Sequence, residues 1–153
     1  MALDDDIRIL SGVGLFSELT AEQLRLLAFG AESVRFPAGR EIYRENAPAD
    51  CAYVIVGGRV VLYRDNEGVA VAVTRLGEGA IIGELALIAE TKRLTYAAAE
   101  TDVELIRLNR TLFRRILEEY PEAAADLHRK MMNDLQSFLR SIESISTRFS
   151  DKD

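Results

Sequence analysis

Between Val34 and Leu108 the chain is cut by turn residues into short apolar runs, which leaves room for strands and none for long helices. Arg35-Phe36 leads into Pro37-Ala38-Gly39, where the proline fixes one φ and the glycine frees another. A second turn, Glu45-Asn46-Ala47-Pro48, carries Asn46, one of the few non-glycine residues that tolerates a positive φ. Tyr53-Val54-Ile55-Val56 reads as a buried strand ending at Gly57-Gly58, and Val60-Val61-Leu62-Tyr63 runs into a hairpin turn at Asp65-Asn66-Glu67-Gly68. Val69 to Val73 follows and stops near Leu76-Gly77-Glu78-Gly79. Strands so closely spaced and punctuated by glycine predict a roll or sandwich rather than a parallel α/β sheet.

Helices flank this β region. Thr20 and Gln23 have capping-box spacing, Leu24, Leu27 and Ala28 recur at helical intervals, and Leu15, Phe16 and Leu19 form an apolar lead-in. Leu112 to Tyr120 reads as a short helix stopped by Pro121, which then opens a long helix reaching about Phe149. The expected fold is therefore mainly β with flanking helices: a domain over residues 1–120 and a long C-terminal helix over 121–149.

Several function classes are disfavoured by what the chain lacks. A formal charge of −6 and a pI near 4.9 argue against nucleic acid or an anionic membrane as partner. Met1–Ile9 holds aspartates where a signal peptide needs a basic start, and no apolar run is long enough to span a bilayer, so a cytoplasmic location is expected. The single cysteine, Cys51, excludes an internal disulfide and a four-thiolate metal site, and is expected to be a buried thiol. The single histidine, His128, cannot supply a multi-histidine metal centre and has no matching nucleophile nearby; carboxylate-only enzymes stay open, but no metal and no enzymatic activity are expected.

The long helix carries a stripe. With His128 at the first position, Met131, Leu135, Phe138, Ile142, Ile145 and Phe149 alternate by three and four residues. Such a stripe either packs on its own domain or meets a second helix. The first is expected near Pro121. Beyond Phe138, where the β region should run out of surface, a homodimer through 131–149 is expected.

The stretch richest in chemistry is Gly77-Glu78-Gly79-Ala80-Ile81-Ile82-Gly83-Glu84-Leu85-Ala86-Leu87-Ile88, followed by Arg93. Small residues at Gly83 and Ala86 let backbone approach a ligand, and a short helix starting near Leu85 would direct free N–H groups at anionic oxygens. This stretch resembles the phosphate-binding cassette of cyclic-nucleotide-binding domains, found in the catabolite activator protein, kinase regulatory subunits and nucleotide-gated channels. Gly83-Glu84-Leu85-Ala86-Leu87 matches the cassette core. Phe36-Pro37-Ala38-Gly39, Ala49-Asp50 through Tyr53-Val54-Ile55, Gly58, Gly77, Gly79 and Asp102-Val103-Glu104-Leu105 match elsewhere, so the likeness spans roughly residues 15 to 140.

That resemblance implies a β-roll (a double-stranded β-helix of jelly-roll type) holding a cyclic nucleotide. Phosphate and ribose would be met by Gly83, Glu84, Leu85, Ala86, Arg93, Leu94 and Thr95, with Arg93 on the phosphate and Glu84 on the ribose 2′-hydroxyl. The base would lie near Val61, Val73, Thr74, Phe138 and Leu139. Read without the family, Glu84 and Arg93 could equally pair with each other, and Val61 and Val73 could be plain core residues. The family usually carries a small or hydroxyl residue after the arginine; Leu94 offers none, which leans toward adenine, and Lys92 stands where proline is frequent. The implied ligand is cyclic AMP ahead of cyclic GMP, with no further cofactor. Because the bacterial activators append a helix-turn-helix and this chain stops at Asp153, direct DNA binding is not expected. Two functions follow: a sensor that signals through its C-terminal helix to an effector protein, or an interaction module with a degenerate pocket.

Overall fold

The computed structural model describes residues 2–150, with side-chain surroundings for residues 5–144. Helix α1 (Ala2–Ser11) and a 3-10 turn (Gly14–Phe16) lead to helix α2 (Ala21–Phe29). The capping box forms as the sequence predicts: the Gln23 amide donates to Thr20 Oγ1 at 3.2 Å, and the Thr20 amide donates to Gln23 Oε1 at 2.9 Å. Ten strands follow: β1 (Glu32–Phe36), β2 (Glu41–Tyr43), β3 (Pro48–Ala49), β4 (Cys51–Gly57), β5 (Val60–Asn66), β6 (Val69–Leu76), β7 (Ile81–Ile82), β8 (Thr91–Lys92), β9 (Tyr96–Ala99) and β10 (Val103–Asn109). Helices α3 (Arg110–Glu119) and α4 (Pro121–Ser150) close the chain, and Pro121 sits in the first turn of α4 as expected.

The strands form two antiparallel sheets, ordered β1-β10-β4-β7 and β2-β9-β5-β6, with β3-β8 as a short ribbon. Between the sheets lies one core, built from Ile55, Val60, Leu62, Ile82, Ala97, Ala99, Val103 and Leu105. The first sheet is also covered on its other face. Val54, Ile106 and Leu108 point outward into a second core with Leu10, Phe16, Leu27, Phe113, Ile116, Leu127 and Met131 from the helices. Burial follows from this: β4 and β10 each hold four buried residues, whereas β6, a sheet edge, holds none. Cys51 is free and buried. No helix among the described residues is long and apolar enough to cross a membrane.

The stripe on α4 falls differently from the sequence expectation. His128 is exposed, and Leu127 takes the inward position instead. Met131 enters the helical core, Phe138 packs on the core between the sheets, and Ile142 is only 8% exposed within the single chain, where α4 lies against β6. The roll therefore does not run out of surface at Phe138, because the edge strand β6 extends under the helix. The side chains of Ile145 and Phe149 lie outside the described residues.

Gly58 turns the chain from β4 into β5 at φ +90°, and a Cβ there would stand 2.2 Å from the Asp102 carbonyl oxygen. Neither the dihedral nor the backbone contact can relax by rotating a side chain. Gly58→Ala is expected to cost about 2–4 kcal/mol in urea unfolding. An unchanged midpoint would show that the turn can be rebuilt.

Candidate functional site

The cassette stretch forms a tight turn at the end of β7. Gly83 has φ +73°, the Ala86 amide donates to the Gly83 carbonyl at 3.1 Å, and Glu84–Leu87 is a single 3-10 turn. Arg110, at the start of α3, ties this turn down: its Nε donates to the Ala86 carbonyl at 2.7 Å and its Nη2 donates to that of Ala49. Facing it, β8 pairs with β3. The Arg93 amide donates to the Ala47 carbonyl at 2.9 Å, and the Asn46 amide donates to the Arg93 carbonyl at 2.8 Å. Asn46 adopts φ +68°, the left-handed conformation the sequence allowed for. The Arg93 backbone is thus held by the same turn that starts β3.

The Arg93 side chain runs inward and is 6% exposed. Its Nη2 donates to the Cys51 sulfur at 3.4 Å, and its guanidinium carbon stands 4.2 Å from the centre of the Tyr43 ring. Its Nη1 is buried without a hydrogen-bond partner, and a Cβ on Gly83 would come within 2.3 Å of it. Glycine at 83 is what lets backbone and guanidinium share this space.

A cavity of about 200 Å³ opens between the turn, β8, β5–β6 and α4. Of the residues for which the resemblance implies ligand contact, Gly83, Glu84, Leu85, Ala86, Arg93, Leu94, Thr95, Thr74 and Phe138 line it. Val61, Val73 and Leu139 do not. On β5, Val60 and Leu62 face the interior, so Val61 faces out, opposite Arg75. The register of β6 shifts between its partners Leu62 and Tyr63, leaving Val73 in the irregularity while Thr74 and Leu76 point inward. Leu139 is 41% exposed beside Phe138. Of the residues that take their places, Leu62 follows from period-two alternation counted from Val60, whereas Leu76 lies beyond the irregularity in β6. Asp134 and Leu135 also line the cavity, being one turn on from Met131. Tyr43 carried no sequence signal. It reaches the site only because β2 lies in the second sheet, paired with β9 beside Thr95.

Among the described residues no ion pair joins Glu84 to Arg93, so the two are not each other's partners. Burial pushes the Glu84 carboxyl up to about 7; Asp134 across the cavity adds to this, while a backbone hydrogen bond opposes it. Burial likewise raises Tyr43 to about 12, against the pull of Arg93, so the phenol stays neutral under the guanidinium. Asp134 is also raised by burial. No cluster of His, Cys, Asp or Glu among the described residues is arranged to hold a metal ion.

The site is thus a small, mostly apolar hollow with one uncompensated buried cation and one carboxyl poised to titrate. The sequence profile of the cyclic nucleotide-binding domain matches residues 33–120, which spans the whole site except α4. The chain belongs to the cyclic nucleotide-binding domain family. It is 34% identical over 109 residues to a cAMP-dependent protein kinase regulatory subunit from Aspergillus fumigatus, covering 71% of this chain and 26% of the subunit. It is 26% identical over 129 residues to a CRP-like cAMP-activated global transcriptional regulator from Mycobacterium tuberculosis, covering 84% of this chain and 58% of the regulator. A solved structure of a cyclic nucleotide-binding-like protein from Brucella abortus is 56% identical with a TM-score of 0.69, covering 75% of this chain and 99% of that one. The chain spans about a quarter of the fungal subunit. The β-roll with flanking helices and long C-terminal helix is the architecture of this family's domains.

The Glu84 carboxyl makes a pH signature in the empty domain. Folded, it keeps its proton to about pH 7; unfolded, it releases it near the ordinary 4.5. The folded state therefore binds more protons between these values, and stability falls as pH rises through that window and levels off above it. Glu84→Gln is expected to remove this component, read as a flatter unfolding free energy between pH 4.5 and 7. Identical slopes for variant and wild type would show that Glu84 titrates normally.

Proposed function

We propose that this domain is a regulatory module that binds a cyclic purine monophosphate, cyclic AMP in preference to cyclic GMP, and signals to an effector protein through α4. The observation that carries this is the buried, unpartnered Nη1 of Arg93, which lies against the open backbone of Gly83 on a residue that lines the cavity. A buried guanidinium hydrogen without an acceptor is costly, and a phosphate oxygen is a geometrically suited acceptor. Glu84 is the acceptor for a ribose hydroxyl in this reading. The lining made by Leu62, Leu76 and Phe138 is apolar, with Thr74 beside it, which favours adenine because guanine brings more polar groups to desolvate. The names of the fungal and mycobacterial relatives, both tied to cAMP, support the same ligand.

Signalling through α4 is supported by shared residues. Met131, Asp134, Leu135 and Phe138 line the cavity, so ligand touches the helix, and Met131 also belongs to the helical core. The helix responds only to a ligand that binds one of its arrangements better than another. The chain's −6 charge speaks against DNA as the effector.

Isothermal titration with both nucleotides tests the ligand. Wild type is expected to bind cyclic AMP more tightly than cyclic GMP, and Arg93→Ala to weaken binding roughly 10- to 150-fold. No heat from either nucleotide would favour an interaction module instead. We further propose that the domain forms a homodimer through 131–149, now on the flank of α4 carrying exposed Leu139 rather than on buried Ile142. Sedimentation is expected to show a dimer that Leu139→Asp converts to monomer; a monomeric wild type would end this proposal.

A further inference from the structure

A guanidinium buried to this degree normally meets a carboxylate, because an unpaired interior charge is strongly disfavoured. Among the described residues Arg93 has none. Its surroundings are instead a thiol and an aromatic face: Cys51 sulfur 3.4 Å from Nη2, and the Tyr43 ring 4.2 Å from the guanidinium carbon. Neither is a carboxylate, and burial raises the Tyr43 phenol to about 12, which keeps it neutral.

These holders are themselves fixed from behind. The Tyr43 ring stacks on that of Tyr53, with centroids 6.4 Å apart and planes at 23°. Arg107 also neighbours Cys51, which is the first reason its guanidinium is held above its usual value. Arg107 in turn reaches Glu32 at 3.5 Å and Asp50 at 3.7 Å at the surface. Cys51 therefore stands between two guanidiniums, one in the cavity and one at the outer edge of the sheet.

We propose that Cys51 and Tyr43 are positioning residues for Arg93: they fix the direction of its Nη1 into the cavity while leaving its positive charge unneutralised for an anionic ligand. A carboxylate in the position of Cys51 would also hold the arginine, but it would cancel the charge that the ligand needs. The Cys51 sulfur, a weak acceptor, gives direction in the carboxylate's place. The ring beneath gives a flat support that tolerates no tilt of the guanidinium without losing contact. This rests on the ligand reading above in its affinity test, and stands apart from it in its spectroscopic one.

A double-mutant cycle separates positioning from general packing. With cyclic AMP as probe, Cys51→Ala is expected to weaken binding roughly three- to tenfold and Cys51→Ser to restore most of it. Tyr43→Leu is expected to weaken binding roughly two- to thirtyfold, whereas Tyr43→Phe, which keeps the ring, is expected to bind nearly as wild type. In the Arg93→Ala background, Cys51→Ala and Tyr43→Leu are expected to have no further effect, since the group they orient is gone. Losses that persist undiminished in that background would overturn the proposal in favour of a purely structural role.

The second measurement needs no nucleotide, and a variant only for assignment. In arginine-selective nitrogen-15 NMR of the empty wild-type domain, assigned with Arg93→Lys, the Arg93 Nη resonances are expected to be separately resolved by slow rotation. A guanidinium rotating as freely as that of an exposed arginine would refute the clamp, whatever the titrations show. If wild type binds neither nucleotide yet Arg93 is immobile, the clamp stands and the ligand assignment falls.

Discussion

The site depends on one unbalanced charge. Arg93 lies inside the fold, held by backbone hydrogen bonds to residues 46 and 47, and its side chain meets no anion among the described residues. Keeping a guanidinium there draws on the stability of everything around it, chiefly the two cores on either side of the β1-β10-β4-β7 sheet. That stability comes from burial of β4 and β10 on both faces. The domain can hold a locally unfavourable group because the sheet behind it is packed twice over.

The architecture also explains why the cassette turn is so short. Four residues of 3-10 helix cannot hold themselves in place, and the turn is instead anchored by Arg110, which reaches two carbonyls from different segments, Ala49 and Ala86. Arg110 opens α3, so the turn that faces the cavity is attached directly to the helical layer. Movement of one is geometrically coupled to movement of the other.

Much of this was legible in the sequence, and the failures share a cause. Turns were readable because their chemistry is local: Thr20 with Gln23, Asn46 and the glycines each need a backbone state that their type favours. Gly83 to Ala86, Arg93 and Thr95 were readable as a spaced pattern that a resemblance could recognise. What was lost was parity and reach. Val61 and Val73 were placed in the cavity, but a strand shows alternate residues to opposite sides, and the irregularity in β6 moves the count by one. Leu139 missed for the helical version of the same reason, lying one residue round from Phe138. Tyr43 was invisible because its position follows from sheet order, a long-range fact that no local pattern encodes. The run from Met131 to Ile142 was rightly seen as one face, but length alone could not show that β6 would extend beneath it.

Met131 belongs to two places at once: its side chain is buried in the helical core and also forms part of the cavity wall. A change there alters the volume open to a guest and the cohesion of the helical bundle in a single step. Thr74, on an edge strand, carries no such double duty. Sequence drift that retunes the guest should therefore accumulate on β6 and spare α4 at this position, so that diversity in recognition and uniformity in mechanical linkage arise from where each residue happens to be anchored.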